Sequence, residues 1–279
     1  MITPDRITEK ARSDRVSSSL VFKEHVQLAV LDYLFRKGLF SQMVFQGGTA
    51  LRLVYQGVRY SEDLDFVLRK KDLPCFLNMR EELQPLTAHL KKFLPFVRQA
   101  RLKAQKETAS FRRYCVILES DFLSAQDQTN IELANVPSRK HQTVILRHPD
   151  TMTAPAVTVE TPEEILSDKC VAFAARDYIK GRDLWDIYFL LSTLKIALNR
   201  GIITMVKKKI SDYGLTENAF LASFEQKTKL LESKGASLLR EEMDKFLPAS
   251  YRESFQSQYV NICKNHVKVF RKLLEDLKQ

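Results

Sequence analysis

The sequence has 279 residues, a length that predicts two modest domains or one large one; 44% of the residues are hydrophobic and 28% are charged. This composition is that of a folded globular protein and excludes a long disordered or low-complexity chain. A formal net charge of +10 exceeds what a neutral small-molecule enzyme needs. It favours a polyanionic partner such as nucleic acid, although solvated surface would account for it as well.

The cysteines and the N-terminal segment bear on the cellular compartment. The cysteines are widely spaced and form no C-x-x-C pair, which argues against a disulfide framework or a zinc ribbon. The opening sequence MITPDRITEKARSDR is charged, and no apolar run reaches the length that spans a bilayer. We therefore expect a soluble, cytoplasmic protein with reduced cysteines and no membrane partner.

The first predicted elements surround two adjacent glycines. After a polar leader, apolar residues at helical spacing predict an amphipathic helix over residues 21–37. The run MVFQGG predicts a short buried strand ended by glycines, TALRLVYQG a helix beginning at Thr49, and DLDFVL a second strand. A further helix is expected after Pro74, passing through Leu77 and Leu83 to Phe93.

Four more apolar runs predict strands. They are YCVILES from Tyr114, NIELANV from Asn130, QTVILR from Gln142 and AVTVE from Ala156. From Thr161 onward helical patterns dominate, and Thr161-Pro162-Glu163-Glu164 has the form of a capping box. We expect a mixed α/β (α+β) fold, with a sheet domain over residues 1–160 and a helical domain over residues 161–279.

Two carboxylates follow the glycines on alternating positions. On a strand, Asp63 and Asp65 would point to the same face, where like charges this close need a bridging cation. Magnesium suits this role because it prefers carboxylate oxygens and keeps phosphate oxygens as further ligands. An exposed strand end is the competing explanation of an isolated D-x-D.

The glycine pair lies where a strand passes into a helix. Gly47 and Gly48 would let backbone N–H groups approach an anion, and Thr49 would add a hydroxyl at the helix N-terminus. Together they could hold a triphosphate. A tight turn that needs positive φ explains the same glycines without a ligand.

These elements together resemble the G-G-T-x-L…R-x-S-x-D-[IL]-D signature of the AbiEii/AbiGii-type toxin nucleotidyltransferases, a branch of the polymerase-beta-like superfamily. The matching residues are Gly47, Gly48, Thr49, Leu51, Arg59, Ser61, Asp63 and Asp65. The stretch TPEEILSDKCVAFAARDYIKGRDLWDIYFLL also resembles the family's second and third motifs, a lysine inside a helix and then R-D-x-x-D. The resemblance implies a polymerase-beta-like sheet domain followed by a helical domain.

The helical stretch has an interpretation independent of the resemblance. Lys169 and Asp183 both fall on apolar helix faces, where an unpaired charge is costly. Lys169 could instead extend to the surface, and Asp183 could be a helix cap. The resemblance assigns both residues to the active site, with Lys169 also offsetting phosphate charge, and leaves Asp186 a weaker candidate.

The superfamily also implies a third carboxylate on a neighbouring strand. Glu132, in NIELANV, is the candidate, and a paired surface glutamate is the alternative. Asp121 and Asp127 fall in what the pattern predicts to be a connecting loop. The expected metal site is therefore Asp63, Asp65 and Glu132 with Mg2+.

Basic residues are concentrated in RQARLKAQKETASFRR, residues 98–113, between predicted strands. The six are Arg98, Arg101, Lys103, Lys106, Arg112 and Arg113, against one acidic residue. These residues, or a second cluster at Lys207-Lys208-Lys209, could track an RNA backbone, whereas a charge run is usually a solvated face.

The resulting hypothesis is a metal-dependent nucleotidyltransferase that moves an NMP from an NTP to an acceptor. The family implies the 3′ end of tRNA as acceptor, a toxin role, and a cognate antitoxin. Two alternatives stay open: nucleotidylation of a protein hydroxyl, and a catalytically idle member of the fold that binds RNA or a partner.

Overall fold

The computed structural model describes residues 2–70, 81–123, 126–151 and 153–279. The chain divides into two compact units, residues 1–160 and 161–279. The first combines a sheet with helices and the second is helical, which confirms the predicted mixed α/β fold class. Of the sequence predictions above, Pro74 and Leu77 lie outside the described residues.

The first unit contains a seven-stranded sheet in the described residues, with the order β3-β4-β5-β2-β1-β7-β6. Its helices are α1 (Pro4–Asp14), α2 (Ser18–Arg36), α3 (Gly47–Leu53) and α4 (Leu83–Phe93). Its strands are β1 (Met43–Gln46), β2 (Leu64–Leu68), β3 (Val97–Glu107), β4 (Phe111–Ser120), β5 (Asp127–Pro137), β6 (His141–Ile145) and β7 (Ala156–Glu160). Neighbours β2 and β5, and β1 and β7, are parallel, and the other pairs are antiparallel.

The central strands present different side chains to their two faces. Leu64 and Phe66 of β2 are buried, whereas Asp65 between them is only half-buried. Strand β5 repeats this alternation, with buried Leu133 beside half-buried Glu132. Helix α2 packs against β5 and β7, and α4 packs against β3. The apolar alternation therefore builds the core and leaves a polar face on the sheet.

The N-terminal part of the chain differs from its prediction. The polar leader forms α1, capped by the Thr3 hydroxyl, with Ile7 and Ala11 buried. Two apolar residues one turn apart are too few for a periodicity signal, but they are enough to pack α1 against α2. Helix α2 begins at Ser18, three residues earlier than predicted, because the Ser17 hydroxyl caps the backbone N–H of Leu20 at 3.3 Å.

The basic stretch of residues 98–113, expected to lie between strands, itself forms most of β3 and the beginning of β4. Strand β3 pairs along its length with β4; Val97 is buried, but its other apolar positions are only partly covered. This strand lies at the sheet edge, where charged side chains commonly replace apolar ones, so the alternation was hidden. Asp127 is likewise not in a loop: it begins β5, is 8% exposed, and accepts a hydrogen bond from the Ser19 hydroxyl at 2.5 Å.

The second unit packs around an aromatic core in which Phe173, Phe224 and Phe270 contact one another. Its helices are α5 (Pro162–Ala175), α6 (Gly181–Tyr188), α7 (Arg200–Asp212), α8 (Glu217–Phe246), α9 (Ala249–Phe255) and α10 (Tyr259–Leu277). Helix α6 continues into a π-helical turn, Phe189–Thr193. Trp185 of α6 packs edge-on against Phe255 of α9, with ring centroids 5.1 Å apart.

Helix α5 begins where the sequence predicts it, but not by the predicted capping box. Thr161 is the N-cap residue and Pro162 occupies the first turn, yet the Thr161 side chain makes no capping hydrogen bond to the described residues. Glu164, the expected reciprocal partner, instead forms an ion pair with Lys209 at 2.6 Å. Pro162 and the acidic residues Glu163 and Glu164 of the first turn both favour a helix start at this position.

Candidate active site

The predicted acidic pair lies at the start of β2. Asp63 immediately precedes the strand, and Asp65 is its second residue. Asp65 is the register partner of Glu132 in β5 and of Gln46 in β1. Because register partners point to the same face of a sheet, Asp65 and Glu132 lie side by side on the polar face. The structure thus places Asp65 beside Glu132, with Asp63 at the entry to the same strand.

Two neighbours fix Asp63. The Asn130 side-chain amide donates a hydrogen bond to Oδ1 of Asp63 at 3.0 Å. The Thr49 hydroxyl donates to the main-chain carbonyl oxygen of Asp63, and Thr49 is fully buried. The Thr49 hydroxyl is therefore engaged in positioning the acidic segment, a contact that the sequence did not predict. Asn130 was also missed, although its place two residues before Glu132 in an alternating strand was the available signal.

Glu132 already contacts a cation from its own sheet. The Arg113 guanidinium donates through Nε and a terminal nitrogen to Oε1 of Glu132, both at 2.8 Å. Arg113 is the register partner of Glu132 on β4 and is 40% exposed. Its charge offsets that of the carboxylate at this position.

The glycine turn lies directly against the acids. Gly47 has φ of +78°, and a Cβ built on it would stand 2.5 Å from Oδ2 of Asp65. A Cβ on Gly48 would overlap the Arg59 guanidinium and come within 3.3 Å of the Ser61 hydroxyl. Gly47 is therefore favoured by its conformation and by close approach, and Gly48 by close approach to Arg59 alone. The turn, Asp65, Arg59 and Ser61 form one compact group.

A buried ion pair holds α3, the helix that contains the two glycines. Arg52 of α3 contacts Glu24 of α2 at 2.5 Å and donates to the carbonyl oxygens of Gly57 and Val58 at 3.2 and 3.0 Å. Burial by itself raises the pKa of Glu24, but hydrogen bonds from His148 and Arg52 outweigh it and lower that pKa to about 2. Arg52 thereby ties α3 to the segment that leads to Arg59 and Ser61.

The second unit contains a cluster of its own. Lys169 Nζ lies 2.7 Å from both Asp183 and Asp186, and Arg176 lies 3.1 Å from Asp183. Burial by itself raises the pKa of Asp183, but the charges of Lys169 and Arg176 outweigh it and lower the pKa to about 2. Lys169 does not extend to solvent, and Asp183 is not a cap: its side chain pairs with cations. Lys180, next to this cluster, was not singled out from the sequence.

The basic residues of the β3–β4 hairpin fall into two groups. The register places Arg101, Lys103, Lys106 and Arg113 on the same face as Asp65 and Glu132. Arg112 points to the opposite face, and Arg98 pairs with Asp121 at a register shift. The predicted basic stretch is therefore not one surface.

The cluster at Lys207-Lys208-Lys209 is also divided. Lys209 is fully buried and forms ion pairs with Glu164 at 2.6 Å and with Asp168 at 2.9 Å. Its charge is therefore not available to an RNA backbone, which corrects the prediction for this residue. Lys207 and Lys208 are exposed. Adjacent residues of a helix differ by about 100° in direction, so Lys208 is exposed and Lys209 is buried, which the charge run alone did not reveal.

Comparison with known proteins decides the family. A model of the family described as nucleotidyl transferase AbiEii toxin, type IV TA system, matches residues 29–270. The chain belongs to the AbiEii family. It is accordingly a nucleotidyltransferase of a toxin–antitoxin family, and the predicted resemblance is confirmed.

Solved structures support the fold of this AbiEii chain. A proposed nucleotidyltransferase from H. pylori superposes with a TM-score of 0.55 at 21% identity, covering 95% of this chain and 100% of that one. JHP933 from Helicobacter pylori gives a TM-score of 0.53 at 21% identity, covering 94% and 98%. No curated protein matches the sequence. In the described residues, no helix is both long and apolar enough to cross a membrane.

Proposed function

We propose that this AbiEii-family enzyme transfers an NMP from an NTP to the 3′-hydroxyl of tRNA in the cytoplasm, releases pyrophosphate, and acts as the toxin of a pair with a cognate antitoxin. The observation that best supports this is the group formed by Gly47, Asp65 and Glu132. The backbone of Gly47 lies against Asp65, and Asp65 shares a sheet face with Glu132. Such a group suits a phosphate chain next to its charge-neutralising cation.

The acids fit magnesium in kind. Asp63, Asp65 and Glu132 supply only carboxylate oxygens, the ligands that this ion prefers. Asp65 and Glu132 share a sheet face, and Asp63 accepts a hydrogen bond from Asn130, two residues before Glu132. Arg113 at Glu132 indicates that positive charge is stabilised there. When bound, magnesium would neutralise phosphate charge and lower the pKa of the attacking hydroxyl.

The chain's own residues position the reactants. In the proposed step the acceptor oxygen forms a bond to the α-phosphorus while the bond from that phosphorus to the bridging oxygen breaks, and the hydroxyl proton leaves to a carboxylate or water. Gly47 and Gly48 would admit the phosphates to the turn, and Arg59 and Ser61 lie beside it. Thr49 holds Asp63 through its carbonyl oxygen. From the family resemblance, we further propose that Lys169 and Asp183, which form an ion pair, act in catalysis.

The proposal of tRNA as acceptor rests on the positive charge of strand β3. Arg101, Lys103 and Lys106 continue the acidic face towards the sheet edge, where an RNA backbone would release counterions on binding. Lys103→Glu should raise the apparent KM for tRNA and reduce its salt dependence. Lys91→Glu is the charge-matched control, because Lys91 is exposed on α4. Equal effects of both substitutions would argue against a specific RNA path.

The direct test uses each α-labelled NTP with Mg2+ and either tRNA or cell lysate. The expected result is label on tRNA, lost when the 3′ end is oxidised with periodate and lost again with Asp65→Asn. Label on protein would instead support nucleotidylation of a protein hydroxyl. Absence of transfer, with the chain folded and RNA bound, would support the idle member of the fold.

A further inference from the structure

Strand β6 is the last strand of the sheet on the side away from β3. It pairs antiparallel with β7 on one side, and no strand in the described part of the chain lies on its other side. In the register, Gln142 lies opposite Val159 and Val144 opposite Val157. In the described residues, β6 is therefore an open edge of the sheet.

The hydrogen bonds to β7 determine which backbone groups of β6 face outward. The Leu146 N–H donates to the Pro155 carbonyl oxygen at 2.9 Å, and these two residues continue the β6–β7 register. Hydrogen-bonded pairs alternate along an antiparallel ladder, so Val144 bonds to β7 whereas Thr143 and Ile145 do not. The N–H and C=O groups of Thr143 and Ile145 consequently point away from β7. Among the described residues, no backbone group pairs with them.

The composition of β6 permits the addition of a strand. Thr143 and Ile145 share a face, and Ile145 is 56% exposed. The β-branched residues Thr, Val and Ile favour extended pairing. Edges that are closed to partners usually carry a charged side chain, a proline or a bulge. Strand β6 contains no Asp, Glu, Lys, Arg or Pro, and its register with β7 is continuous.

Both ends of β6 are basic. Arg139 and Lys140 precede the strand, Arg147 follows it, and all three are exposed. An extended segment that pairs along β6 would have its two ends beside these cations, so acidic residues there would be attracted to them. The outward backbone groups bind any extended segment, and the charges therefore select the partner.

A second copy of this chain is disfavoured as the occupant. If two β6 strands paired antiparallel about a twofold axis at Thr143, each Arg139 would lie opposite the Arg147 of the other copy. Parallel pairing in register would place each of these arginines beside its own equivalent. Like charges directly opposite each other destabilise a strand pair. The charges at the ends of β6 thus favour an acidic partner over self-pairing.

We propose that β6 is a docking edge for an extended segment of a partner protein that carries acidic residues at both ends. The segment pairs through its backbone with Thr143 and Ile145, and Arg139, Lys140 and Arg147 select it by charge. This edge belongs to the first unit alone. The inference does not depend on the transfer reaction.

The binding test uses the fluorescent peptide EEVTVTVEE and its basic counterpart KKVTVTVKK, with anisotropy as the readout. The acidic peptide should bind the full chain at least about tenfold more tightly than the basic peptide, and added salt should weaken it. Arg147→Glu should weaken the acidic peptide by about three- to tenfold, since it reverses one exposed charge. Lys91→Glu, at an exposed position on α4, is the control and should bind the peptide unchanged.

Thr143→Pro tests the backbone part of the inference. Proline removes the outward N–H of Thr143 but no hydrogen bond to β7, and edge strands tolerate it. Thr143→Val keeps that N–H and the β-branched shape. The acidic peptide should bind Thr143→Pro about tenfold or more weakly and Thr143→Val like the parent chain. Circular dichroism checks that both variants keep their sheet.

Amide hydrogen exchange, resolved by NMR, tests the same edge in the protein without substitutions. The amides of Thr143 and Ile145 should exchange faster than that of Val144 in the free chain, and the acidic peptide should slow both. The proposal fails if the two peptides bind equally, or if excess acidic peptide leaves this exchange unchanged. A parent chain that dimerises with rising concentration, and a Thr143→Pro variant that does not, would instead assign β6 to a second copy.

Discussion

Two nitrogen atoms of the Arg113 guanidinium each lie 2.8 Å from the same carboxylate oxygen of Glu132. If Glu132 holds a divalent cation, Arg113 competes with it. Arg113→Gln should therefore tighten Mg2+ or Mn2+ binding by about two- to fivefold, the effect expected from removing a partly exposed partner charge of about 0.5–1 kcal/mol. Mn2+ binding followed by electron paramagnetic resonance measures this without any transfer reaction.

Arg101→Gln is the control for Arg113→Gln. Arg101 lies on the same sheet face but pairs with Glu119 at 2.6 Å, away from the acids. Its removal should leave the metal affinity unchanged. Weaker metal binding in Arg113→Gln would mean that the guanidinium organises Glu132 for the ion and does not compete with it.

Asp65→Asn keeps the shape of the side chain against Gly47 and removes its charge. Transfer should fall by at least about 10²-fold, the loss typical of removing one charge-stabilising group. The thermal midpoint should stay within a few degrees of the parent value. Asp121→Asn, at an exposed ion pair with Arg98, provides the comparison and should remain active. A folded, fully active Asp65→Asn would remove the metal-site proposal.

Substitutions at two glycines distinguish the effect of backbone strain from the effect of close atomic contact. Gly38 and Gly47 both have positive φ, at +69° and +78°, but a Cβ on Gly38 meets nothing within 4 Å among the described residues. Gly38→Ala should cost about 1 kcal/mol of stability and leave activity intact. Gly47→Ala should in addition displace Asp65 and abolish transfer. Equal activity in the two variants, measured beside their urea midpoints, would refute the contact argument.

Buried Lys209 gives a prediction about stability. Lys209→Met leaves Glu164 and Asp168 without this cation, and breaking a buried ion pair in this way costs about 3–5 kcal/mol. Lys208→Met, one residue earlier and exposed, should change stability by less than about 0.5 kcal/mol. Chemical denaturation of the two variants tests the contrast. A near-neutral Lys209→Met would indicate that α5 and α7 adjust to the loss.

Acid should destabilise the second unit through Asp183. Its folded-state pKa of about 2 lies below the unfolded value of about 3.9, so its contribution is complete above that value and is lost as pH falls towards 2. Asp183→Asn should flatten this acid dependence. Trp185, the sole tryptophan, lies on the same helix and reports the unfolding. Glu24→Gln is the control, because it removes a low-pKa acid of the first unit. In this variant the Trp185 fluorescence transition should depend on pH as it does in the unsubstituted protein.

The sequence predicted those parts of the fold in which apolar periodicity is strong. The strands at Met43, Leu64 and Asn130 carry alternating or continuous apolar runs, and each forms close to its expected bounds. Alternation also predicted that the two aspartates share a face. Strand β3 and helix α1 were not predicted, because an edge strand rich in Arg and Lys and a helix with two buried residues have little apolar periodicity.

The site was less predictable than the strands. The residues of the glycine turn were identifiable, but their neighbours depend on tertiary contacts that spacing cannot encode. Arg52 reaches Glu24 across 28 residues, and Arg113 reaches Glu132 across 19. Lys209 resembled the exposed lysines beside it until its burial was known. A single sequence does not show which charged residues form ion pairs with one another.

The cations of β3 occupy the outer border of the sheet, where unsatisfied main-chain groups can recruit another polypeptide. Arg101, Lys103 and Lys106 therefore also protect the protein from self-association. Replacing all three side chains by alanine would favour precipitation. The resulting loss of activity would then be mistaken for a loss of affinity for RNA. Glutamate exchanges made one at a time keep that border charged and avoid the confusion.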